Sequence, residues 1–427
     1  MLYKIETILK IPKYVKVVEW IKVLLLTGSS QILIQLISVV SGIIVIRTLS
    51  IQEYAYYTLS NNVLGAMTIL SNGGIVSGVM AEGGKVWDDK EKLGTVVKTG
   101  MYLRKRFAIW SLLITSSVLI YLLRQNHAYW STSFILVLTL MPAFLSNLSS
   151  SMLEIGPKLN QDILSLQKNQ IATNLGRLTL LLASVFIFPY SFVALLSDGI
   201  PRTIANLSLK NISKKFINLE SNKNSAVQKR ILSNVKKVLP IDIYNIFSAQ
   251  ITVWILSLTG ITSSIAQIGA LFRVAAILNI FNVVFSTLII PRYSRLRNDK
   301  YLQRKRMIEI QILLALVCIS IIGSVWLLSK NIVWLLGDQY KNLEFELILT
   351  IIIFSLNFFS NAIYAICTSK SWSINPFILI SINLLAIVSG IYIFGMNTLR
   401  EVLIFNVYIS TIMLSMHIVY SLNRVSK

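Results

Sequence analysis

Residues 310–329 read IQILLALVCISIIGSVWLLS, twenty residues without a charged side chain. A transmembrane helix needs about 20 consecutive, mostly apolar residues to cross the hydrocarbon layer of a bilayer. Stretches of this kind recur along the whole chain of 427 residues, of which 55% are hydrophobic and only 14% charged. The sequence therefore predicts an all-α integral membrane protein with no room for a sizeable soluble domain.

Apolar runs alternate with basic or turn-forming segments, and this alternation predicts about 12 transmembrane helices. The predicted spans are 24–48, 54–80, 107–124, 129–153, 169–188, 190–209, 238–260, 266–290, 308–329, 345–368, 374–395 and 401–421. They divide the chain into an interfacial segment (1–23), an N-terminal six-helix bundle (24–209), a basic linker (210–237) and a C-terminal six-helix bundle (238–427). Because each bundle has an even number of spans, we expect a parallel pseudo-repeat around a central cavity.

The basic residues lie mainly on one side of this predicted topology. Most of the 40 Lys and Arg residues fall in the N-terminal segment, in alternate loops and at the C-terminus. The opposite loops carry few: Arg47, Arg124, Lys330, Lys341 and Arg400. We call these the basic side and the far side of the membrane. The positive-inside rule predicts that the basic side, with both termini, is cytoplasmic.

Composition also argues against several functions. The net charge of +22 does not indicate nucleic-acid binding, because the basic residues do not line an aromatic-studded soluble face. Cys318 and Cys367 lie in apolar runs, and there are only two His residues, so neither a disulfide nor a metal site is indicated. We predict no cofactor and no nucleic-acid partner. A membrane enzyme is disfavoured, since the short far-side loops hold no plausible catalytic set.

Several short motifs occur along the chain in an order and spacing typical of one family. Residues 47–57 read RTLSIQEYAYY and are followed by LSNGG at 70–74. In the second half, LP at 239–240 opens the seventh span, IGALFRVA at 268–275 opens the eighth, PR at 291–292 closes it, and LLGDQY at 335–340 precedes the tenth. Together these motifs resemble the Wzx-type polysaccharide and O-antigen repeat-unit flippases of the multidrug/oligosaccharidyl-lipid/polysaccharide exporter superfamily.

The resemblance implies two six-helix bundles that carry an undecaprenyl-diphosphate-linked oligosaccharide across a bacterial inner membrane by alternating access. It implies the bilayer, a polysaccharide polymerase and a chain-length regulator as partners. The sequence departs from the family at Asn72, where many relatives have an acidic residue. Two alternatives stay open. One is a cation-coupled multidrug exporter of the same superfamily, although residues 24–49 contain no Asp or Glu; the other is a flippase for a lipid-linked cell-wall precursor.

Ionisable residues at bilayer depth are costly and mark candidate functional sites. Arg177 and Arg202 lie about equally far from the short turn between spans five and six, so they should reach similar depth. Asp198 precedes Arg202 by one helical turn. Two interpretations are possible: a salt-bridged tie between two helices, or an electropositive wall for a diphosphate and sugar hydroxyls. Arg273, in the eighth span, either faces the cavity or reaches back to the far-side interface.

Uncharged polar residues repeat at helical spacing in other spans. Gln31 and Gln35 share a face of the first span, Asn61 belongs to a stripe in the second, and Asn174 shares a face with Arg177 in the fifth. Such residues either line a cavity or hold helices together. The predicted substrate-binding residues are thus Arg177, Asp198, Arg202, Arg273, Gln31, Gln35, Asn61 and Asn174.

Overall fold

A computed structural model describes residues 12–258, 262–294, 299–370, 372 and 375–426. Over these ranges the chain forms fifteen α-helices, with single 3-10 turns at Ala276–Leu278 and Asp338–Tyr340. The helices are α1 Pro12–Thr48, α2 Ile51–Asn72, α3 Ile75–Gly83, α4 Lys90–Gln125, α5 Trp130–Leu153, α6 Ile155–Leu159, α7 Ile163–Val185, α8 Ser191–Ser213, α9 Ser225–Leu258, α10 Thr262–Ala275, α11 Asn279–Ser294, α12 Lys300–Leu336, α13 Glu344–Ser369, α14 Pro376–Ile393 and α15 Leu399–Ser426.

Each of the twelve predicted spans coincides with a described helix or helix pair, counting α2 with α3 and α10 with α11. Among the described residues, seven helices are long and apolar enough to cross a membrane, and the bent pair α2–α3 makes an eighth. The others include α14, which is shorter, and α7 and α8, which hold the charged candidates. The protein is a multi-pass membrane protein, and the predicted fold class is confirmed.

The helices pack as two lobes. In the first lobe α8 packs against α5 and α7, α7 against α1, and α2 against α4. In the second lobe α13 packs against α11, α12 and α15, and α14 packs against α15. A large apolar cluster runs from the first lobe into the second and includes buried residues of both, such as Ile46, Tyr57, Ala266 and Leu347.

The predicted division into domains stays a prediction, but the segment 210–237 is largely helical. Helix α8 continues to Ser213, and α9 already begins at Ser225. The basic-side half of α9 packs against α3 and α4 of the first lobe through buried apolar residues such as Ile231. Arg230 pairs with Glu82 of α3 at 2.5 Å. The predicted interfacial segment falls partly on residues 1–11, which lie outside the described residues.

The family-like motifs in the first hairpin act at helix ends. The Arg47 guanidinium donates to the carbonyl oxygens of Trp334 and Leu335, both at 2.9 Å, at the C-terminus of α12. Glu53 accepts from the backbone N–H of Ser191 at 2.7 Å, and also from its hydroxyl, at the N-terminus of α8. A cation at a helix C-terminus and a carboxylate at an N-terminus both complement the helix dipole. One short motif therefore fixes a helix in each lobe.

The LSNGG motif sets the bend between α2 and α3. Gly73 and Gly74 have φ values of +45° and +80°, in the left-handed region that favours glycine. The two helices consequently meet at 45°. Because of this bend, α3 runs along the basic side, where it packs against α9.

On the far side the two lobes are in direct contact. The Asn126 side chain donates to the Ser257 hydroxyl at 2.8 Å and accepts from the Thr262 hydroxyl at 3.2 Å. Thr58 of α2 lies so close to Gly269 of α10 that any side chain at residue 269 would collide with it. These contacts join the lobes on that side of the membrane.

Candidate functional site

Arg177, Asp198 and Arg202 form one ion-pair cluster inside the first lobe. The Asp198 carboxylate lies 3.2 Å from Nη1 of Arg177 and 2.9 Å from Nη2 of Arg202. The side chains of Arg177 and Asp198 are only 12% and 8% exposed, whereas that of Arg202 is 35% exposed. A single buried carboxylate therefore serves two guanidinium groups, of which Arg202 has the freer access to a ligand.

The local sequence explains how these three residues meet. Helices α7 and α8 are antiparallel neighbours joined by the tight turn at 186–190, which brings Arg177 opposite Asp198. Helix α8 continues through Pro201, so Asp198 and Arg202 remain one turn apart on the same face. Gly199 allows α8 to approach α5 closely, since a Cβ there would lie 3.1 Å from the backbone nitrogen of Ala143.

The cluster lines a polar cavity of about 170 Å³ between α5, α7 and α8. Its lining includes two carboxylates, two guanidinium groups and several side-chain amides that can donate and accept hydrogen bonds. The polar lining residues are Ser146, Asn147, Ser150, Glu154, Asn169, Gln170, Thr173, Asn174, Arg177, Asp198, Arg202 and Asn206. Such a lining can bind an anion together with neighbouring hydroxyl groups.

Helix α5 supplies one wall of this cavity, which the sequence analysis missed. Nη1 of Arg202 donates to Oδ1 of Asn147 at 3.4 Å, a long hydrogen bond. Ser150 and Glu154 continue the same wall towards the basic side. The spacing 147, 150, 154 places these residues on one helix face, so the signal was present in a span that carries no charged residue between 130 and 153.

Two of the predicted amide residues belong to the edge of the site. Asn174 lines the cavity and donates to the carbonyl oxygen of Gln170 at 2.8 Å. Gln31 of α1 donates to the side-chain oxygens of Gln167 and Gln170, both at 3.3 Å. The Gln31 amide thus ties α1 to α7 beside the cavity and orients Gln170, which lines it.

The other three predicted residues lie away from the cavity. Arg273 and Gln35 lie at the seam between the lobes, and Asn61 lies on α2, one of the helices that form the seam. Nη2 of Arg273 donates to the Tyr57 hydroxyl at 3.1 Å, and its methylene groups fill the space beside Gly42 of α1. Its side chain therefore crosses the seam and does not reach back to the far-side interface. Gln35 donates to the carbonyl oxygen of Ala276 at 2.9 Å, and Asn61 donates to the Tyr57 carbonyl of its own helix at 3.1 Å.

The electrostatic balance of the region is positive. Asp198 interacts with Arg177 and Arg202 directly and with Arg273 at longer range. Since Arg273 lies at the seam, the cavity itself holds two guanidinium groups on one carboxylate, and the cluster of Arg177, Asp198 and Arg202 has a net charge of one positive unit. At the basic end of the cavity Glu154 is already paired with Lys158 at 2.6 Å. An anion entering the cavity would satisfy charge that the protein itself leaves uncompensated.

Comparison with known proteins gives a likeness of fold only. No family model matches the chain, and no curated protein sequence matches it. An inward-facing multidrug resistance MATE family transporter of the MOP superfamily superimposes with a TM-score of 0.71 at 11% identity, over 92% of this chain and 94% of that one. An outward-facing conformation of such a MATE transporter gives 0.62 at 12%, over 95% and 96%. The lipid II flippase MurJ in its inward closed conformation gives 0.66 at 12%, over 94% and 87%. The chain therefore has the two-lobed, twelve-helix fold that these transporter and flippase structures share.

Proposed function

We propose that this chain is a flippase that moves an undecaprenyl-diphosphate-linked oligosaccharide repeat unit from the cytoplasmic to the outer leaflet of a bacterial inner membrane. It works by alternating access and supplies the synthesis of a surface polysaccharide such as O-antigen, capsule or exopolysaccharide. The observation that carries the proposal is the positive cluster of Arg177, Asp198 and Arg202 in a polar cavity within the membrane. Fixed guanidinium groups suit a diphosphate, because Arg binds phosphate oxygens bidentately.

In this mechanism Asp198 holds both guanidinium groups while the cavity is empty. An incoming diphosphate competes for Arg202 first, because Arg202 is the more exposed partner. While the ligand is bound, Asp198 still neutralises Arg177. When the ligand leaves, Arg202 returns to Asp198, so neither guanidinium is buried without an anionic partner at any stage. The amides around the cluster, such as Asn147 and Asn174, offer hydrogen bonds to sugar hydroxyls.

The size of the cavity limits what it can hold. Ligand pockets commonly enclose about 300–1,000 Å³, and this cavity of about 170 Å³ is smaller. We therefore assign it to the diphosphate and the sugar attached to it. The rest of the glycan would lie outside this cavity.

The basic side is cytoplasmic in this proposal, as the charge distribution predicts. The far-side contacts of Arg47, Asn126 and Thr58 then close the outer exit, and the described conformation is the one that loads substrate from the cytoplasm. The greater likeness to the inward-facing MATE transporter than to the outward-facing one supports this assignment.

The fold likeness also supports two related functions. A cation-coupled multidrug exporter fits the likeness to MATE transporters, but the first span carries no acidic residue between 24 and 49 for cation coupling. A flippase for a lipid-linked cell-wall precursor fits the likeness to MurJ and would use the same phosphate-binding chemistry.

Deleting the gene tests the proposal in cells. We expect loss of one surface polysaccharide and accumulation of its single lipid-linked repeat unit on the cytoplasmic leaflet. Restoring the wild-type chain should clear the precursor, and Arg202→Ala at equal abundance should not. A precursor that reaches the outer leaflet at the normal rate, with only the polymer missing, would point to a polymerase. Unchanged polysaccharide with new drug sensitivity would point to the exporter.

A further inference from the structure

A second cavity lies between α4 and α5, separate from the polar cavity. It measures about 480 Å³ and is lined mainly by apolar side chains. Ile109 and Leu145, at its rim, are exposed residues on the outer surface of the first lobe. In a membrane this surface faces lipid, so the cavity is a groove open to the bilayer and not to water.

Two cations lie at one end of this groove. Arg104 is only 2% exposed, and its Nε and Nη1 atoms have no hydrogen-bond partner among the described residues. Lys105 lines the same end and is exposed. None of the residues lining the groove is acidic. Burying a guanidinium group without a hydrogen-bond partner costs free energy. An anion bound in the groove would supply the partner that the lining residues do not.

The depth of Arg104 matches a lipid headgroup. It precedes Gln125, the far-side end of α4, by 21 residues, which is about 31 Å at 1.5 Å per residue. The hydrocarbon core of a bilayer is about 30 Å thick. Arg104 therefore lies where the phosphates of the basic-side leaflet lie. From there the groove runs inward past Ala108 to Leu112 and Met141, in the direction that an acyl chain takes.

We propose that this groove binds one anionic phospholipid from the leaflet on the basic side. Arg104 bonds the phosphate, Lys105 approaches it from the rim, and one acyl chain lies along Ala108, Leu112 and Leu145. The charge of the site selects the ligand, because two cations without a carboxylate favour a lipid with net negative charge over a zwitterionic one. The proposal does not depend on the transported substrate, since the polar cavity lies on another face of α5.

Native mass spectrometry of the purified full chain tests the inference. We expect phosphatidylglycerol to remain bound where phosphatidylcholine with the same acyl chains dissociates. Arg104→Gln should weaken phosphatidylglycerol binding about tenfold, as expected for loss of a charge-assisted hydrogen bond. Arg106→Gln is the matched control, because Arg106 is an exposed cation two residues away that does not line the groove.

A second pair of variants tests the acyl-chain site without changing charge. Leu145→Trp should fill the groove and reduce lipid binding, whereas Leu138→Trp, at an exposed position of α5 outside the groove, should not. In lipid-free detergent, Arg104→Gln should melt no lower than the wild type, because it removes an unpaired buried charge. Added phosphatidylglycerol should then raise the melting temperature of the wild type but not of the variant.

Three results would overturn the inference. Equal retention of both phospholipids would mean that the groove selects no charge. Displacement of phosphatidylglycerol by millimolar inorganic phosphate would assign Arg104 to a soluble anion. Preferential binding of undecaprenyl phosphate over phosphatidylglycerol would assign the groove to a polyprenyl carrier instead of a membrane phospholipid.

Discussion

Replacing Asp198 with alanine should destabilise the protein more than replacing Arg202, the more exposed of the two arginines that it binds. Asp198→Ala leaves two guanidinium groups facing each other, of which Arg177 is 12% exposed and Arg202 35% exposed. Removing one partner of a buried ion pair typically costs about 3–5 kcal/mol. Arg202→Ala, in contrast, leaves a neutral Arg177–Asp198 pair and should cost about 1 kcal/mol or less, because the lost partner is partly exposed.

The assay is the fraction of protein that stays monodisperse after heating, with surface polysaccharide measured in parallel. We expect Asp198→Ala to melt well below the wild type, and Arg202→Ala to melt near it yet export no glycan. Glu154→Ala is the matched control, because Glu154 lines the same cavity but pairs with the half-exposed Lys158. If Asp198→Ala proved as stable as Arg202→Ala, the shared-carboxylate arrangement would be refuted.

Three further perturbations follow from the helix ends and the topology. Glu53→Ala should cost about 1–2 kcal/mol and lower the melting temperature, because the N-terminal N–H and hydroxyl of Ser191 lose their acceptor; an unchanged melting temperature would contradict this. Arg47→Ala should loosen the far-side closure and increase labelling of cysteines placed along the seam, and unchanged labelling would mean that its two carbonyl contacts do not hold the lobes together. Impermeant reagents added to intact cells should label cysteines placed in 124–129 but not in 211–236, and the opposite pattern would reverse the proposed orientation.

The membrane architecture could be predicted because its signals are long and redundant. A run such as 310–329 is apolar over a full bilayer thickness, and alternate loops repeat the same charge bias. The helical structure of much of the segment 210–237 was harder to predict, since its many Lys residues suggested a loop. Val227, Ile231 and Val235 nevertheless recur every four residues, which is the spacing of one buried helix face.

The proximity of the candidate residues could be predicted where they are neighbours in sequence or across a tight turn. Asp198 and Arg202 are one turn apart, and the depth argument placed Arg177 near them. The bond between Arg273 and Tyr57 could not be predicted, because it depends on how the two lobes meet. Arg104 falls in the predicted loop between the spans 54–80 and 107–124, and only the packing of α4 against α5 reveals that it is buried.

The central claim is that the arginine cluster binds the diphosphate of a lipid-linked sugar during translocation. The most direct measurement is translocation of an undecaprenyl-diphosphate-linked oligosaccharide by purified protein in proteoliposomes. The wild type, Arg202→Ala, Arg202→Lys and a charge-free triple variant (Arg177→Met, Asp198→Asn, Arg202→Met) are compared at equal folded protein. We expect translocation by the wild type, partial activity for Arg202→Lys because a point charge loses the bidentate fork, and none for Arg202→Ala or the triple variant. Full translocation by the charge-free triple variant would contradict the account.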